Sequence, residues 1–371
     1  MTPACATGVR PSHSTLWASG LEPPVLERAV PDPFGNVYKF LAFHDSASDC
    51  TIRMLICDKI RSLEKTMRYF VIVNPLAGRG LGERSVPAIE KRLKKANIDF
   101  KLLRTERPWH AAELAEQAAR EGYDVIVCAS GDGTINEALN GLMKARKAGI
   151  NHIVFGVLAI GTGNDFAGGM GIPTDLEHSL NVLLASSRKK IDIGFVKGGD
   201  FPDGRYFGNG IGIGFDAAVG TAASKVRWTR GLPAYLIGAI ATVFLYYTPP
   251  RVRILVDDIE IDQRSLMISI MNGKRMGGGF RMAPDSKGDD GLFDLCICET
   301  VPKLRVFGLI PHFLKGTQEG QPEIKMRRAR KVTVTAIEGD FPAHADGEML
   351  CYNGTSLSME LLPAELEIIS N

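Results

Sequence analysis

The sequence lacks the features that mark several protein classes. Its formal net charge is only +2 over 371 residues, so no basic surface for a nucleic acid is expected. Its seven cysteines form no CxxC pair, which argues against a disulfide framework or a zinc site and suits a reducing compartment. The first residues have neither the basic start nor the continuous apolar core of a signal peptide. We therefore expect a cytoplasmic protein without a nucleic-acid partner.

Long hydrophobic runs are also missing. The longest, residues 232–247 (LPAYLIGAIATVFLYY), falls short of the roughly 20 residues that span a bilayer, and Pro249 and Pro250 end it. A helix packed within the protein is the favoured interpretation. The alternative is a helix that rests on a membrane surface, where Tyr246 and Tyr247 would suit the interface.

The chain shows little periodic pattern before Met67. Residues 1–66 carry Pro, Ser and Gly clusters and are predicted to be a disordered extension, unless translation begins at Met67. Strands then alternate with helices over 67–187, as in a doubly wound, Rossmann-like α/β domain with a parallel sheet. Short strands with Gly, Asp and Asn turns follow over 188–358 and predict an antiparallel β-sandwich. For residues 359–371 the prediction includes a return to the α/β domain.

Three glycine-rich turns lie in the predicted α/β domain, each directly after a strand. They are residues 74–80 (NPLAGRG), 130–134 (SGDGT) and 161–166 (GTGNDF). Turns of this kind gather at the carboxyl ends of parallel strands, where ligands bind. The Asp, Asn and Thr among the glycines favour a polyphosphate site over three simple tight turns. The P-loop pattern GxxxxGK[ST] is absent.

Asp132 stands between Gly131 and Gly133, after the apolar run 123–129 (YDVIVCA). The helix that follows is predicted to start with a capping box formed by Thr134 and Glu137. Free amides at a helix N-terminus favour a phosphate, which a carboxylate would repel unless a metal ion lay between them. The turn therefore predicts a metal–nucleotide complex.

The motifs NPLAGRG, SGDGTINEALNGL, GTGNDFA, NGIGIGFDA, DDGLFDL and HADGE occur in this order from residue 67 onwards. Together they resemble the diacylglycerol kinase catalytic family, especially its soluble bacterial lipid kinases, which are similar to sphingosine and ceramide kinases. Ser130 replaces the first glycine of many relatives. The resemblance implies Mg²⁺-dependent transfer of the γ-phosphoryl group of ATP to a lipid hydroxyl, most of all that of diacylglycerol. It also implies peripheral contact with a membrane surface and allows a homodimer.

The resemblance further implies which residues bind ATP and metal. The ATP site would comprise Asn74, Pro75, Leu76, Ala77, Gly78, Thr105, Gly131, Asp132, Gly133, Thr134, Ile135, Asn136, Glu137 and Thr162. Asp132 would hold the nucleotide's Mg²⁺ through a water, with Asp192 as its partner. Without the resemblance, Asp192 reads as a solvated carboxylate at a strand end.

Two later turns also resemble family motifs. In the turn 285–291, Asp290 would bind a structural metal with the backbone carbonyls of Leu292 and Lys287, unless this is only an Asp-Gly hairpin turn. In the turn 345–348 (ADGE), Glu348 would be the general base, and Asp346 would orient the site or contact metal-bound water. The alternative is again an Asp-Gly turn between two strands.

Three interpretations remain open at this stage. The basic run 325–331 (KMRRARK) is interpreted as the solvent-exposed beginning of a strand; the alternative is a surface that attracts anionic lipid headgroups. An NAD kinase-like enzyme would share the fold and the GDG turn. A non-catalytic protein that binds lipid or nucleotide would keep the scaffold but would be expected to lose Asp132, Asp192 or Glu348, and all three are present.

Overall fold

The computed structural model of the protein describes Val30–Pro31, Val37–Tyr38, 67–224, 232–245 and 248–371. The chain divides into two compact units, Met1–Lys65 and Thr66–Asn371. In the first unit, β1 (Val30–Pro31) pairs antiparallel with β2 (Val37–Tyr38). The rest of the predicted disordered extension, 1–66, lies outside the described residues.

The second unit begins with alternating strands and helices. In chain order these are β3 (Arg68–Val73), α1 (Ala77–Lys95), β4 (Asp99–Arg104), α2 (His110–Arg120), β5 (Val125–Ser130), α3 (Asp132–Lys147), β6 (Val154–Ala159), α4 (Asp165–Gly169) and α5 (Leu176–Ala185). The strands are parallel in the order β4-β3-β5-β6. This arrangement is the predicted doubly wound α/β sheet.

Both faces of this parallel sheet are buried, as its continuous apolar strands predict. Successive residues of a strand point to opposite faces, so Phe70 and Ile72 share one core with Leu114 of α2, whereas Val71 shares the other with Ile89 of α1. Each fully buried side chain of this size contributes about 1.5–3 kcal/mol. Helices on both sides therefore hold the strand ends rigidly.

The remaining elements are mainly antiparallel strands. They are β7 (Arg188–Gly198), β8 (Phe201–Phe207), β9 (Gly210–Gly214), α6 (Phe215–Ser224), α7 (Leu232–Leu245), β10 (Arg251–Val256), β11 (Ile259–Met271), β12 (Phe293–Glu299), α8 (Lys303–Lys315), the 3₁₀ turn Gln318–Gly320, β13 (Ile324–Ala329), β14 (Lys331–Glu338), β15 (Phe341–Ala345), β16 (Glu348–Gly354) and β17 (Ser356–Ile369).

These strands form the predicted sandwich, whose core includes the rings of Phe207 and Phe293, stacked with centroids 5.6 Å apart. The last strand connects the two parts of the sheet. β17 pairs antiparallel with β7 and β14, and its Glu367 and Ile368 then pair parallel with β6. The C-terminal residues thus return to the α/β sheet, and the predicted fold class is confirmed.

Leu232–Leu245 of the apolar run form α7, which packs against α6 and has Ala239 and Val243 buried. Ile240, in contrast, is 48% exposed. Among the helices that the structure describes, none combines the length and apolarity needed to cross a membrane. The prediction of a packed helix agrees with this placement, whereas Tyr246 and Tyr247 lie outside the described residues.

Candidate active site

A cavity of about 460 Å³ lies at the carboxyl ends of β3, β5 and β6, where the glycine-rich turns were predicted to gather. The β15–β16 turn and a loop from the sandwich complete its wall. The lining residues are Asn74, Leu76, Ala77, Gly78, Ser130, Gly131, Asp132, Gly133, Thr134, Ile135, Asn136, Leu139, Gly161, Thr162, Gly163, Asp165, Phe166, Asn209, Met276, Gly277, Gly278, Asp346, Gly347 and Glu348.

The first glycine-rich turn is tied to the second by Asn74. Its Nδ2 donates to Thr134 Oγ1 at 2.9 Å, and its Oδ1 accepts from the amide of Leu76 at 3.0 Å. Gly78 has a φ of 55°, and a Cβ there would lie only 2.6 Å from the carbonyl oxygen of Ile160. Glycine is therefore required where this turn approaches the third one.

The N-terminus of α3 opens into the cavity. The helix begins at Asp132 after an extended Gly131, and no side chain in the described part of the chain caps it. The predicted capping box of Thr134 and Glu137 is therefore wrong, because both residues lie inside the helix. Thr134 receives the hydrogen bond from Asn74, and Glu137 accepts from the amides at the start of α2. Uncapped amides at this end favour a bound anion such as phosphate.

Two carboxylates face this helix terminus. Asp132 Oδ1 accepts from the amide of Phe166 at 3.0 Å, and burial, with a smaller contribution from the charge of Asp346, raises the pKa of Asp132. Burial and the charge of Asp132 also raise the pKa of Asp165 to about 6. A Cβ on Gly163 would lie 2.9 Å from Asp132 Oδ2 and 3.7 Å from Asp165 Oδ2, so the two acids flank one glycine.

This pair fits a divalent cation. Asp165 Oδ2 accepts from the amide of Gly278 at 2.9 Å, but its buried Oδ1 makes no hydrogen bond with the described residues, although Arg275 Nε is 3.4 Å away. A cation would supply the missing partner and offset the burial and the neighbouring carboxylate charge that raise the two pKa values. Carboxylate oxygens are also the ligands that Mg²⁺ prefers.

Asp192 is not among the residues that line this cavity. Its carboxylate is 1% exposed and accepts from the amides of Gly291 and Ala364, each at 2.7 Å, while its own amide donates to Gly288 O at 2.8 Å. It is therefore not a solvated strand end, and its role as the partner of Asp132 stays a prediction. The acids near Asp132 are Asp165 and Asp346 instead.

The turn 285–291 is held from two sides by groups of the protein. Asp192 binds it from within, and Arg328 of the basic run pairs with both Asp290 and Asp294. Asp290 also accepts from the amide of Leu292 at 3.3 Å. Asp290 thus already has a cationic partner, and the metal site predicted for it with Lys287 and Leu292 stays a prediction.

The β15–β16 turn presents the two predicted catalytic acids differently. Asp346, at a left-handed φ of 49°, directs its carboxylate inward, where it accepts four hydrogen bonds from the β8–β9 turn, the start of β9 and α3. Glu348 is exposed to the cavity, and a Cβ on Gly133 would lie 3.0 Å from its Oε1. Asp346 therefore fixes the β15–β16 turn against the β8–β9 turn and α3, while the exposed Glu348 can contact a ligand at the α3 terminus.

Not every residue of the predicted ATP site lines the cavity. Pro75, Thr105 and Glu137 lie outside the lining set, whereas the other predicted ATP-site residues belong to it. Sequence reasoning assigned no site role to several lining residues, among them Leu139, Asp165, Phe166, Asn209 and Met276–Gly278. Asp165 and Phe166 stand within the GTGNDFA motif, and the glycine run after Met276 was a usable signal.

The chain was compared with known proteins. Residues 68–196 match the diacylglycerol kinase catalytic domain family, and residues 209–370 match the YegS C-terminal NAD kinase beta sandwich-like domain family. A diacylglycerol kinase of Staphylococcus aureus is 30% identical over 291 residues, which is 76% of this chain and 86% of that protein. One of Mycobacterium tuberculosis is 26% identical over 299 residues, covering 80% and 93%.

The fold is shared with a solved structure. A diacylglycerol kinase from Bacillus anthracis superimposes with a TM-score of 0.63 at 22% sequence identity, over 83% of this chain and 98% of that one. Both parts of the sheet thus agree with the fold that the resemblance implied. The chain belongs to the bacterial diacylglycerol kinase family and is a kinase.

Proposed function

We propose that this kinase transfers the γ-phosphoryl group of ATP to the hydroxyl of a lipid, diacylglycerol or a closely related amphiphile. The observation that carries the proposal is the meeting of three carboxylates, those of Asp132, Asp165 and Glu348, with the uncapped N-terminus of α3 in one cavity. The names of the relatives from Staphylococcus aureus and Mycobacterium tuberculosis support diacylglycerol as the acceptor.

Each group has a distinct task in such a transfer. The amides of α3 and the glycine-rich turns bind phosphate oxygens. Asp132 and Asp165 would hold Mg²⁺, which neutralises phosphate charge when bound. Glu348 is exposed and lies against Gly133 at the α3 terminus, so it can take the proton of an acceptor hydroxyl that approaches there.

The sandwich part offers apolar space for acyl chains. A second cavity, of about 530 Å³, is lined largely by small or apolar groups, among them Phe215, Ala218, Leu266 and Pro342. A smaller one lies among α6, α7 and α8. Apolar cavities of this kind suit hydrocarbon better than a soluble dinucleotide. We therefore propose that the acceptor is a lipid taken up at a membrane surface.

The proposal is tested by product analysis. The full chain is incubated with γ-labelled ATP, Mg²⁺ and, separately, diacylglycerol, sphingosine, ceramide, phosphatidylglycerol, undecaprenol and NAD, and the products are resolved. Label in phosphatidic acid, or in another phosphorylated lipid of the panel, supports lipid phosphorylation. Label only in the NAD reaction would replace the proposal with an NAD kinase activity, and label in none of the products would refute it.

A further inference from the structure

A buried cation lies behind the cavity. Arg205 of β8 is 4% exposed and does not line the cavity itself. Its Cζ lies 4.8 Å from the centroid of the Trp109 ring and 5.2 Å from that of Phe201. A guanidinium is the cation best suited to such aromatic contacts, and it keeps its charge inside a protein.

The hydrogen bonds of Arg205 go to one atom. Its Nη2 and Nε donate to Asn136 Oδ1 at 2.7 and 3.3 Å. The other end of the same amide, Asn136 Nδ2, donates to Asp346 Oδ2 at 2.8 Å and to the carbonyl of Tyr206 at 3.1 Å. Asn136 itself is 1% exposed, so water cannot replace these partners.

This arrangement leaves the Asn136 amide only one acceptable orientation. Arg205 can only donate, so it requires the amide oxygen to face it, and Asn140 Nδ2 donates to the same oxygen at 3.2 Å; the amide nitrogen must then face Asp346. The flipped orientation would set donor against donor at Arg205 and acceptor against acceptor at Asp346. Asp346 is in turn two residues from Glu348, on the same short turn. Arg205 is thus connected through Asn136 and Asp346 to the turn that carries the exposed acid of the cavity.

We propose that Arg205 is a positioning residue for phosphoryl transfer, which orients Asn136 and through it holds the Asp346 turn that presents Glu348. The proposal rests on the proposed function for its kinetic consequences. The structural part of the proposal is independent of that function. The amides of Gly208, Asn209 and Gly210 donate to Asp346, and their hydrogen bonds should weaken when Arg205 is changed, whichever substrate the enzyme phosphorylates.

Three variants test the relay. Arg205→Lys keeps the positive charge but loses the planar guanidinium with its paired N–H donors, and Arg205→Met removes both. Asn136→Asp keeps the shape of the side chain but places a second carboxylate next to that of Asp346. Arg146→Lys is the matched control, because Arg146 is also partly buried and paired, with Glu365 at 3.2 Å. Melting temperatures confirm that each variant folds, and Asn136→Asp tests the same relay with Arg205 intact.

The kinetic readout is the split between kcat and KM. We expect kcat for lipid phosphorylation to fall about tenfold in Arg205→Lys and about a hundredfold in Arg205→Met and Asn136→Asp, as small misplacements of a reacting group do. In the two Arg205 variants the KM for ATP should stay within about threefold, because Arg205 touches none of the phosphate-binding turns. Values of kcat within about twofold of wild type in all three variants would overturn the proposal.

Amide hydrogen exchange tests the positioning role of Arg205 without relying on enzyme activity. The amides of Gly208, Asn209 and Gly210 should exchange at least about tenfold faster in Arg205→Met and Asn136→Asp, and at the wild-type rate in Arg146→Lys. Unchanged exchange in the two variants would overturn the positioning role. If the wild-type protein phosphorylates no lipid, the proposed function fails, and these exchange rates alone decide for or against Arg205.

Discussion

Replacement of Asp346 by Asn changes one atom, yet it should destabilise the protein strongly. Asp346 Oδ1 accepts from the amides of Asn209 and Gly210, both at 2.9 Å, and Oδ2 accepts from Gly208 N and Asn136 Nδ2, both at 2.8 Å. Whichever oxygen becomes NH₂, two donors lose their acceptor and meet another donor. A hydrogen bond to a charged group contributes about 1.5–3 kcal/mol, so we expect a loss of about 3–6 kcal/mol.

The assay is equilibrium unfolding in urea at pH 7.5 without nucleotide, with the free energy of unfolding extrapolated to water. Asp340→Asn is the control, because Asp340 is exposed and accepts one side-chain hydrogen bond from the described residues, that of Asn353 at 3.1 Å, so its loss should stay below about 0.5 kcal/mol. A loss below about 1 kcal/mol in Asp346→Asn would refute the reasoning, and would return Asp346 to a role in contact with ligand or metal.

Three further substitutions have distinct expected outcomes. Asp132→Asn should raise the Mg²⁺ concentration needed for turnover with little change in lipid KM, and an unchanged Mg²⁺ dependence would contradict its role. The pKa of Asp165, raised from 3.8 to about 6, costs the folded protein about 3 kcal/mol above pH 6 and nothing below about pH 4. Asp165→Asn should therefore melt above wild type at pH 7.5, with the difference shrinking as the pH falls from 6 towards 4; a lower melting temperature at pH 7.5 would contradict this. Gly133→Ala should be as stable as wild type, or more stable by up to about 1 kcal/mol, because Ala favours helix. Its kcat should fall about tenfold, because the added Cβ displaces Glu348. A near-normal kcat would show that Glu348 can move aside without loss of activity.

The sequence predicted the elements that local patterns specify. Strand–turn–helix units could be read from apolar runs and glycines, so Asp132 and the first and third turns were located before their geometry was known. Glu348 was found through its motif. The start of α3 was misjudged because Thr134 and Glu137 have the spacing of a capping box, whereas their partners, Asn74 and the start of α2, are remote in the sequence.

Residues whose neighbours come from distant strands could not be placed in this way. Asp192 lies on β7, and its position depends on pairing with β17 at the other end of the chain. That pairing places Asp192 against Gly291 and Ala364 rather than Asp132. Arg205 gave no signal either, because a single arginine in a short strand looks solvated until α2 and α3 are seen to cover it.

The central claim is that Glu348 takes a proton from a lipid hydroxyl in a cavity that binds the phosphates of ATP. Its most direct measurement is the rate of label transfer from γ-labelled ATP to diacylglycerol in wild type and Glu348→Gln, with ATP affinity and melting temperature determined for both. The account predicts labelled phosphatidic acid from wild type and transfer at least about a hundredfold slower in the variant, at similar affinity and stability. Equal rates in the two proteins, or no labelled lipid from wild type, would contradict it.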